Sequence, residues 1–288
     1  MADNLESQMT EAAILRNDGN SAATCLDIAP LTGTIGAEIS GIRLADDHPD
    51  EVIEAIRDAL DKFRVLVFRK QHDLDARSYI RFASRFGAPE TVPHPSLPDY
   101  RDEQGEVLGV KVLESDADEY KQHALEWNLD SWHTDGAPRA NRHWISLLQA
   151  VDVPDYGRDT MFADMVAAFE CLSLPMQRFL EGLTCSHSWG PQNPEAAPVV
   201  HPMVVVHPRT GAKALYVNKH YTRKVNELRY DESQALLQFL QEQAKIPQWQ
   251  LRLRWEPGTV AMWDNEYTQH YLVFDRGYRR VMHRIMMT

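Results

Sequence analysis

The chain has 288 residues and is 43% hydrophobic, enough for a sizeable core in one large or two small domains. Its formal net charge of −12 argues against a nucleic-acid or anionic-membrane partner, because phosphate surfaces attract basic patches. Cys25, Cys171 and Cys185 are too scattered for a disulfide framework and form no Cys-x-x-Cys pair for zinc, which fits a reducing, cytoplasmic setting. No apolar run approaches the roughly 20 residues that span a bilayer, and the polar N-terminus lacks the apolar core of a secretory signal.

Residues 1–25 read as a flexible tail, although Glu11-Ala12-Ala13-Ile14-Leu15 favours a short helix. Residues 26–288 read as one domain. Between Thr32 and Gly41, turn glycines alternate with apolar residues as in short strands. Glu51 to Lys62 places Val52, Ile53, Ile56, Ala59 and Leu60 on one helical face. Val65 to Phe68 is a buried strand, and Asp75 to Phe86 a second amphipathic helix ended by Gly87 and Pro89. The polar, acidic stretch from about 91 to 130 is the candidate lid loop. Trp144 to Gln149 reads as a strand, and Asp164 caps a helix running to about Cys171. Met203–Val206 and Ala214–Val217 form strands joined at Pro208-Arg209-Thr210-Gly211. Asp231, as a cap, opens a helix to Ala244. The last strands are Gln250–Trp255, Thr259–Trp263 and Arg280–Met286. The chain is therefore mainly β with flanking helices. A two-sheet jelly roll with helices covering one sheet is the simplest architecture.

The sharpest chemical feature is Trp132-His133-Thr134-Asp135, answered far downstream by Trp263-Asp264-Asn265 and Thr268-Gln269-His270. Two imidazoles and one carboxylate can occupy one face of an octahedral iron(II), leaving three positions open. On an extended segment, residues i and i+2 point to the same side, so His133 and Asp135 would both face inward. His270 then completes the set from a distant strand. An isolated His-x-Asp is common in solvated loops, and the flanking sequence is what lifts this one above that reading. His187, His201, His207 and His220 read as core or surface residues, and His283 as packed or hydrogen-bonded.

The resemblance rests on the whole constellation. It comprises Ile35 to Gly41, Arg85-Phe86-Gly87, the His133 motif, and Arg158-Asp159-Thr160 with Phe162-Ala163-Asp164. It continues with Val206 to Gly211, Met262 to Asn265, Thr268 to Tyr271, and Arg279 to Arg284. From about Leu26 onward the chain resembles the taurine/alkylsulfate (TauD/TfdA-type) dioxygenase family, which includes herbicide-degrading members. That resemblance implies a double-stranded β-helix and oxidation of a small organic anion's C–H bond. It also implies iron(II), O2 and 2-oxoglutarate as cosubstrate, with succinate and CO2 as products. His133, Asp135 and His270 would bind iron, and Thr160 and Arg280 the distal carboxylate of 2-oxoglutarate. A guanidinium fork suits a carboxylate, although by composition alone Arg280 reads as a surface ion pair and Thr160 as a strand residue. Arg284, on the same strand face as Arg280, and His94 would hold the substrate.

The chain departs from the taurine enzyme at Leu97 and Leu129, where polar partners of a small amino-sulfonate are lost. The implied substrate is a larger, more apolar anion. Glu266 stands where an arginine often follows Trp-Asp-Asn, and the spacing from His270 to Arg280 is one residue shorter. An intact Asp135 leaves no ligand position for halide, which argues against a halogenase. Hydroxylation, desaturation and ring closure of a biosynthetic intermediate use the same iron site, and a non-catalytic 2-oxoglutarate-binding role uses the same residues. Members of the family commonly self-associate, and nothing in the patterning here shows whether this chain does.

Overall fold

A computed structural model describes residues 26–90, 97–115, 130–274 and 279–288. The expected tail and the positions of His94 and Leu129 lie outside the described residues. The chain opens with β1 (Asp27–Pro30), β2 (Ala37–Ser40), α1 (Asp50–Phe63), β3 (Val65–Phe68) and α2 (Ala76–Ala83). Then come β4 (Asp99–Arg101), β5 (Val107–Ser115), β6 (Ile145–Asp152), β7 (Thr160–Asp164), α3 (Met165–Glu170) and α4 (Leu174–Leu180). The middle holds β8 (Thr184–His187), β9 (Val199–Pro202), β10 (Val204–Val206), β11 (Lys213–Leu215), β12 (Thr222–Val225) and α5 (Tyr230–Gln241). It closes with β13 (Gln250–Leu253), β14 (Val260–Asp264), β15 (Thr268–Leu272) and β16 (Arg280–Met287).

The largest sheet has eight strands in the order β1-β2-β3-β14-β6-β16-β5-β4. Its strands pair antiparallel except β2 with β3. A second sheet has the order β13-β7-β15. Alternation along the central strands assigns their faces. Val65, Val67, Leu148, Ala150, Ala261 and Trp263 pack with Phe162, Leu251 and Leu253 of the second sheet. Their neighbours Leu66, Phe68, Ile145, Leu147, Val260 and Met262 pack against α1 and α2. Both faces of these strands are therefore dry, which is why they read as continuous apolar runs rather than alternating ones. A third cluster joins Ala163 of β7 to α3, α5 and the small sheets β10-β11 and β12-β8-β9.

Helix α1 buries Val52, Ile53, Ile56, Ala59 and Leu60, the expected stripe. Asp75 caps α2 by accepting from the Ser78 N–H at 2.7 Å, and Asp164 caps α3 by accepting from Val166 and Ala167. Three expectations change. The stretch proposed as a lid is not one loop: its described part forms β4 and β5, and β5 pairs residue for residue with β16. Asp231 is not the cap of α5; the helix starts at Tyr230 after Arg229, whose N–H is taken by Glu232 at 3.0 Å. Its last residues tighten into a 3-10 turn, Glu242–Lys245. No helix among the described residues is long and apolar enough to cross a membrane.

Ile56 is fully buried between α1 and the sheet. Ile56→Ala should lower the unfolding free energy by roughly 2–5 kcal/mol in urea titration.

Candidate metal and cosubstrate site

His133 and His270 meet as an antiparallel bridge that extends the second sheet by one residue. The His133 N–H donates to the His270 carbonyl at 3.0 Å and the His270 N–H to the His133 carbonyl at 2.9 Å. This reciprocal pair brings the two imidazoles to 4.3 Å between ring centroids. The expected extended run through Asp135 is not there. The chain turns at once, with Gly136 at φ +66°, so Asp135 reaches the histidines from a turn. Its position is set by Asn265 instead. The Asn265 side-chain oxygen accepts from the Asp135 N–H at 3.0 Å, and its amide donates to the Asp135 carbonyl at 2.8 Å and the His143 carbonyl at 3.0 Å. Thr134 adds a bond from its hydroxyl to the Thr268 carbonyl at 3.0 Å.

The three candidate ligand atoms lie within 4.8 Å of one another. Each imidazole Nε2 stands 3.9 Å from Asp135 Oδ1. His133 Nδ1 donates to the Ser131 carbonyl at 2.8 Å, which leaves Nε2 as a lone-pair donor toward the centre. Burial, and then His270, pushes the His133 imidazole down to about 4, and burial lowers His270 as well. Burial alone would raise the Asp135 carboxyl, but Arg284, His270 and His133 overcome it and hold the group well below the usual range. Two neutral imidazoles and one carboxylate on a buried point are a suitable donor set for a divalent metal. Asp135 is steadied further by the Ser146 hydroxyl, 3.0 Å from Oδ2.

Arg280 and Thr160 come together around Trp255. The indole N–H donates to the Thr160 hydroxyl at 2.9 Å, which leaves the Thr160 proton for another acceptor. The Arg280 guanidinium lies 5.5 Å over the same ring. Arg280 is 6% exposed, its Nε has no acceptor, and burial and then Arg158 push it down to about 9. The nearby Asp159 is held by Arg252 at 2.6 Å. Arg280 is thus a buried cation, not the surface ion pair composition suggests, and a carboxylate would satisfy it.

A cavity of about 260 Å³ opens onto His133 and Asp135. Leu97 and Arg284 line it as expected, while Thr160 and Arg280 lie outside its wall. Arg284 Nη1 stands 3.1 Å from Asp135 Oδ1. Motif reading missed Arg139, Trp189 and Tyr221 in the wall, and His220, read as structural, lines it too. The His220 ring lies 5.7 Å from His133, and burial and then His133 push it down to about 3, so it meets a ligand as a neutral imidazole. The other histidines are structural. His187 approaches Cys185 Sγ at 3.2 Å, His201 bonds the Arg139 carbonyl at 2.9 Å, His207 bonds Asp264 at 3.1 Å, and His283 packs on Tyr100 at 5.1 Å. Glu266 pairs with Arg142 at 3.3 Å, which accounts for an acid at that position.

Asn265→Ala would leave the Asp135 backbone without its clamp. Metal affinity, read by chelator competition, should fall about 10–100-fold.

The family model described as taurine catabolism dioxygenase TauD, TfdA family matches residues 27–286. An alkylsulfatase of Acinetobacter baylyi is 34% identical over 91% of this chain and 84% of that protein. An α-ketoglutarate-dependent sulfate ester dioxygenase of Pseudomonas putida is 32% identical over 91% of this chain and 89% of that protein. Among solved structures, a taurine dioxygenase from Burkholderia xenovorans superposes with a TM-score of 0.79 at 34% identity, covering 91% of this chain and 89% of that one. With a match across nearly all the described fold, the chain belongs to the TauD/TfdA family of iron(II)- and 2-oxoglutarate-dependent dioxygenases.

Proposed function

We propose that the chain oxidises a C–H bond of a small, mainly apolar organic anion, with iron(II) held by His133, Asp135 and His270. The observation that carries this reading is their convergence beneath a cavity whose wall also holds Arg284. Bound iron(II), 2-oxoglutarate and O2 supply the oxidising equivalent, with succinate and CO2 as products. The chain's own residues do the rest. Burial lowers both imidazoles while Arg284 and the histidines lower Asp135, so the set favours the deprotonated forms that a metal requires. Arg280 and the Thr160 hydroxyl hold the distal carboxylate of 2-oxoglutarate, and Trp255 fixes both. Arg284 anchors the substrate's anionic group so that the target carbon is turned toward the metal. Leu97, Leu113 and Leu272 exclude water around the apolar part of the ligand.

The two facing sheets, with α1 and α2 outside the larger one, support a double-stranded β-helix. Leu97 in the wall supports a substrate larger and more apolar than taurine, such as an alkyl sulfate or an aryloxy acid. Cys171 and Cys185 are free thiols, which supports a reducing, cytoplasmic setting.

Succinate formation across taurine, alkyl sulfates of rising length and aryloxy acids tests the reading. Stimulation by a long alkyl sulfate or an aryloxy acid, lost in His133→Ala, is the expected result. Stimulation by taurine alone would overturn the assignment of Leu97. Trp255→Phe keeps the ring but loses the indole donor, and should weaken 2-oxoglutarate binding about 2- to 10-fold by titration.

A further inference from the structure

Arg284 is not the cavity's sole cation: Arg139 also lines the wall. It sits four residues past Asp135, just beyond the turn, where its N–H donates to the Gly136 carbonyl at 2.9 Å. The turn is shaped around it. A Cβ at Gly136 would stand 2.3 Å from His143 Nδ1 and 3.5 Å from Arg139 Cδ, and the backbone there is left-handed. Glu90, nearly buried, lies 2.8 Å from Arg139 Nη1 and 3.2 Å from His143 Nε2. The guanidinium lies 5.7 Å over Trp189, and the Arg139 carbonyl is bonded by His201. Backbone and head group are thus both fixed, unlike those of a solvated surface arginine.

Two facts point from this rigid cation to a ligand. Glu90 is not part of the cavity wall, whereas Arg139 is, so a bound molecule meets the cation and not its counter-charge. Arg139 Nε is buried without an acceptor, as is Arg284 Nε, so neither guanidinium is saturated by the protein, and because each Nε is covered a ligand oxygen would meet the terminal nitrogens. A guanidinium has five donors and can hold Glu90 with one edge and a ligand oxygen with another.

We propose that Arg139 is a second anion anchor in the primary-substrate pocket. The substrate is then a two-headed organic acid, with one anionic group at Arg284, an apolar middle, and a carboxylate at Arg139. This rests on reading the cavity as the primary-substrate site.

Calorimetric titration of the full chain loaded with Mn(II) and N-oxalylglycine, a 2-oxoglutarate analogue, separates the two ideas. Hexyl sulfate and 6-sulfooxyhexanoate share one head and one chain length class, and only the second carries a terminal carboxylate. The two-headed probe should bind about 10-fold tighter or more, the effect of a charge-assisted hydrogen bond. In the double variant Glu90→Gln/Arg139→Met, which removes the pair together and leaves no lone buried charge, the preference should shrink to within about twofold. Equal binding of both probes by the unaltered protein, which needs no variant to fold, overturns the second anchor and leaves the pocket reading standing. A preference that survives in the double variant also overturns it. Binding of neither probe overturns the pocket reading and the second anchor together.

Discussion

One side-chain amide holds this site together. Asn265 occupies both backbone groups of Asp135 and a third backbone group, the carbonyl of His143, and is itself fully buried. Asp135 sits in a turn, where no sheet ladder could fix it, so without that clamp its carboxylate would have no defined place relative to the imidazoles. The reciprocal backbone pair between His133 and His270 does the same for the other two ligands. Three candidate ligands from two remote segments are thus positioned by hydrogen bonds to their backbone at a largely buried point, where such bonds are costly to lose.

The electrostatics follow from the strand that carries Arg280 and Arg284. Residues two apart on β16 share a face, so both guanidinia point between the sheets with Met282 separating them. Arg284 finds Asp135, while Arg280 finds an indole beside a threonine hydroxyl, and the nearest acid to act on it, Asp159, is already paired with Arg252. An acidic chain therefore keeps cationic groups in its interior. Attraction of an anion is a property of the pocket and not of the overall field, and it is felt at contact distance.

Much of this was legible in the sequence where a pattern repeats. The apolar stripe of α1 and the run Val65 to Phe68 follow simple periods, and both became elements within a residue of their expected ends. The grouping of His133, Asp135 and His270 was legible because the motifs that flank them are specific. β15 was not, because Thr268, Gln269 and His270 are polar. Thr268 and Gln269 are buried with the Thr268 hydroxyl donating to the Asp264 carbonyl and the Gln269 amide to the Val217 carbonyl. The turn after Asp135 overrode the strand rule, and Gly136 was the local signal for it. Arg139, Trp189, His220 and Tyr221 carry no motif; only the fold brings them to one wall. The acid at Glu266 made sense only once Arg142 was seen across from it.

The placement of β16 has a consequence for how the protein reaches this state. β16 lies between β5 and β6, which are far earlier in the chain, and pairs with β5 from Arg280 to Arg284 and with β6 from Val281 to Met287. Until it inserts, β5 and β6 present open edges, and pairings this distant in sequence form slowly. The closing strand of the sheet is also the strand that brings Arg280 and Arg284 inside. A partly folded chain would thus have exposed strand edges and would lack the two guanidinia that β16 carries between the sheets. Completion of the sheet and the seating of these two guanidinia are thus the same structural step, so an anion held by them would favour the fully paired sheet over one lacking β16.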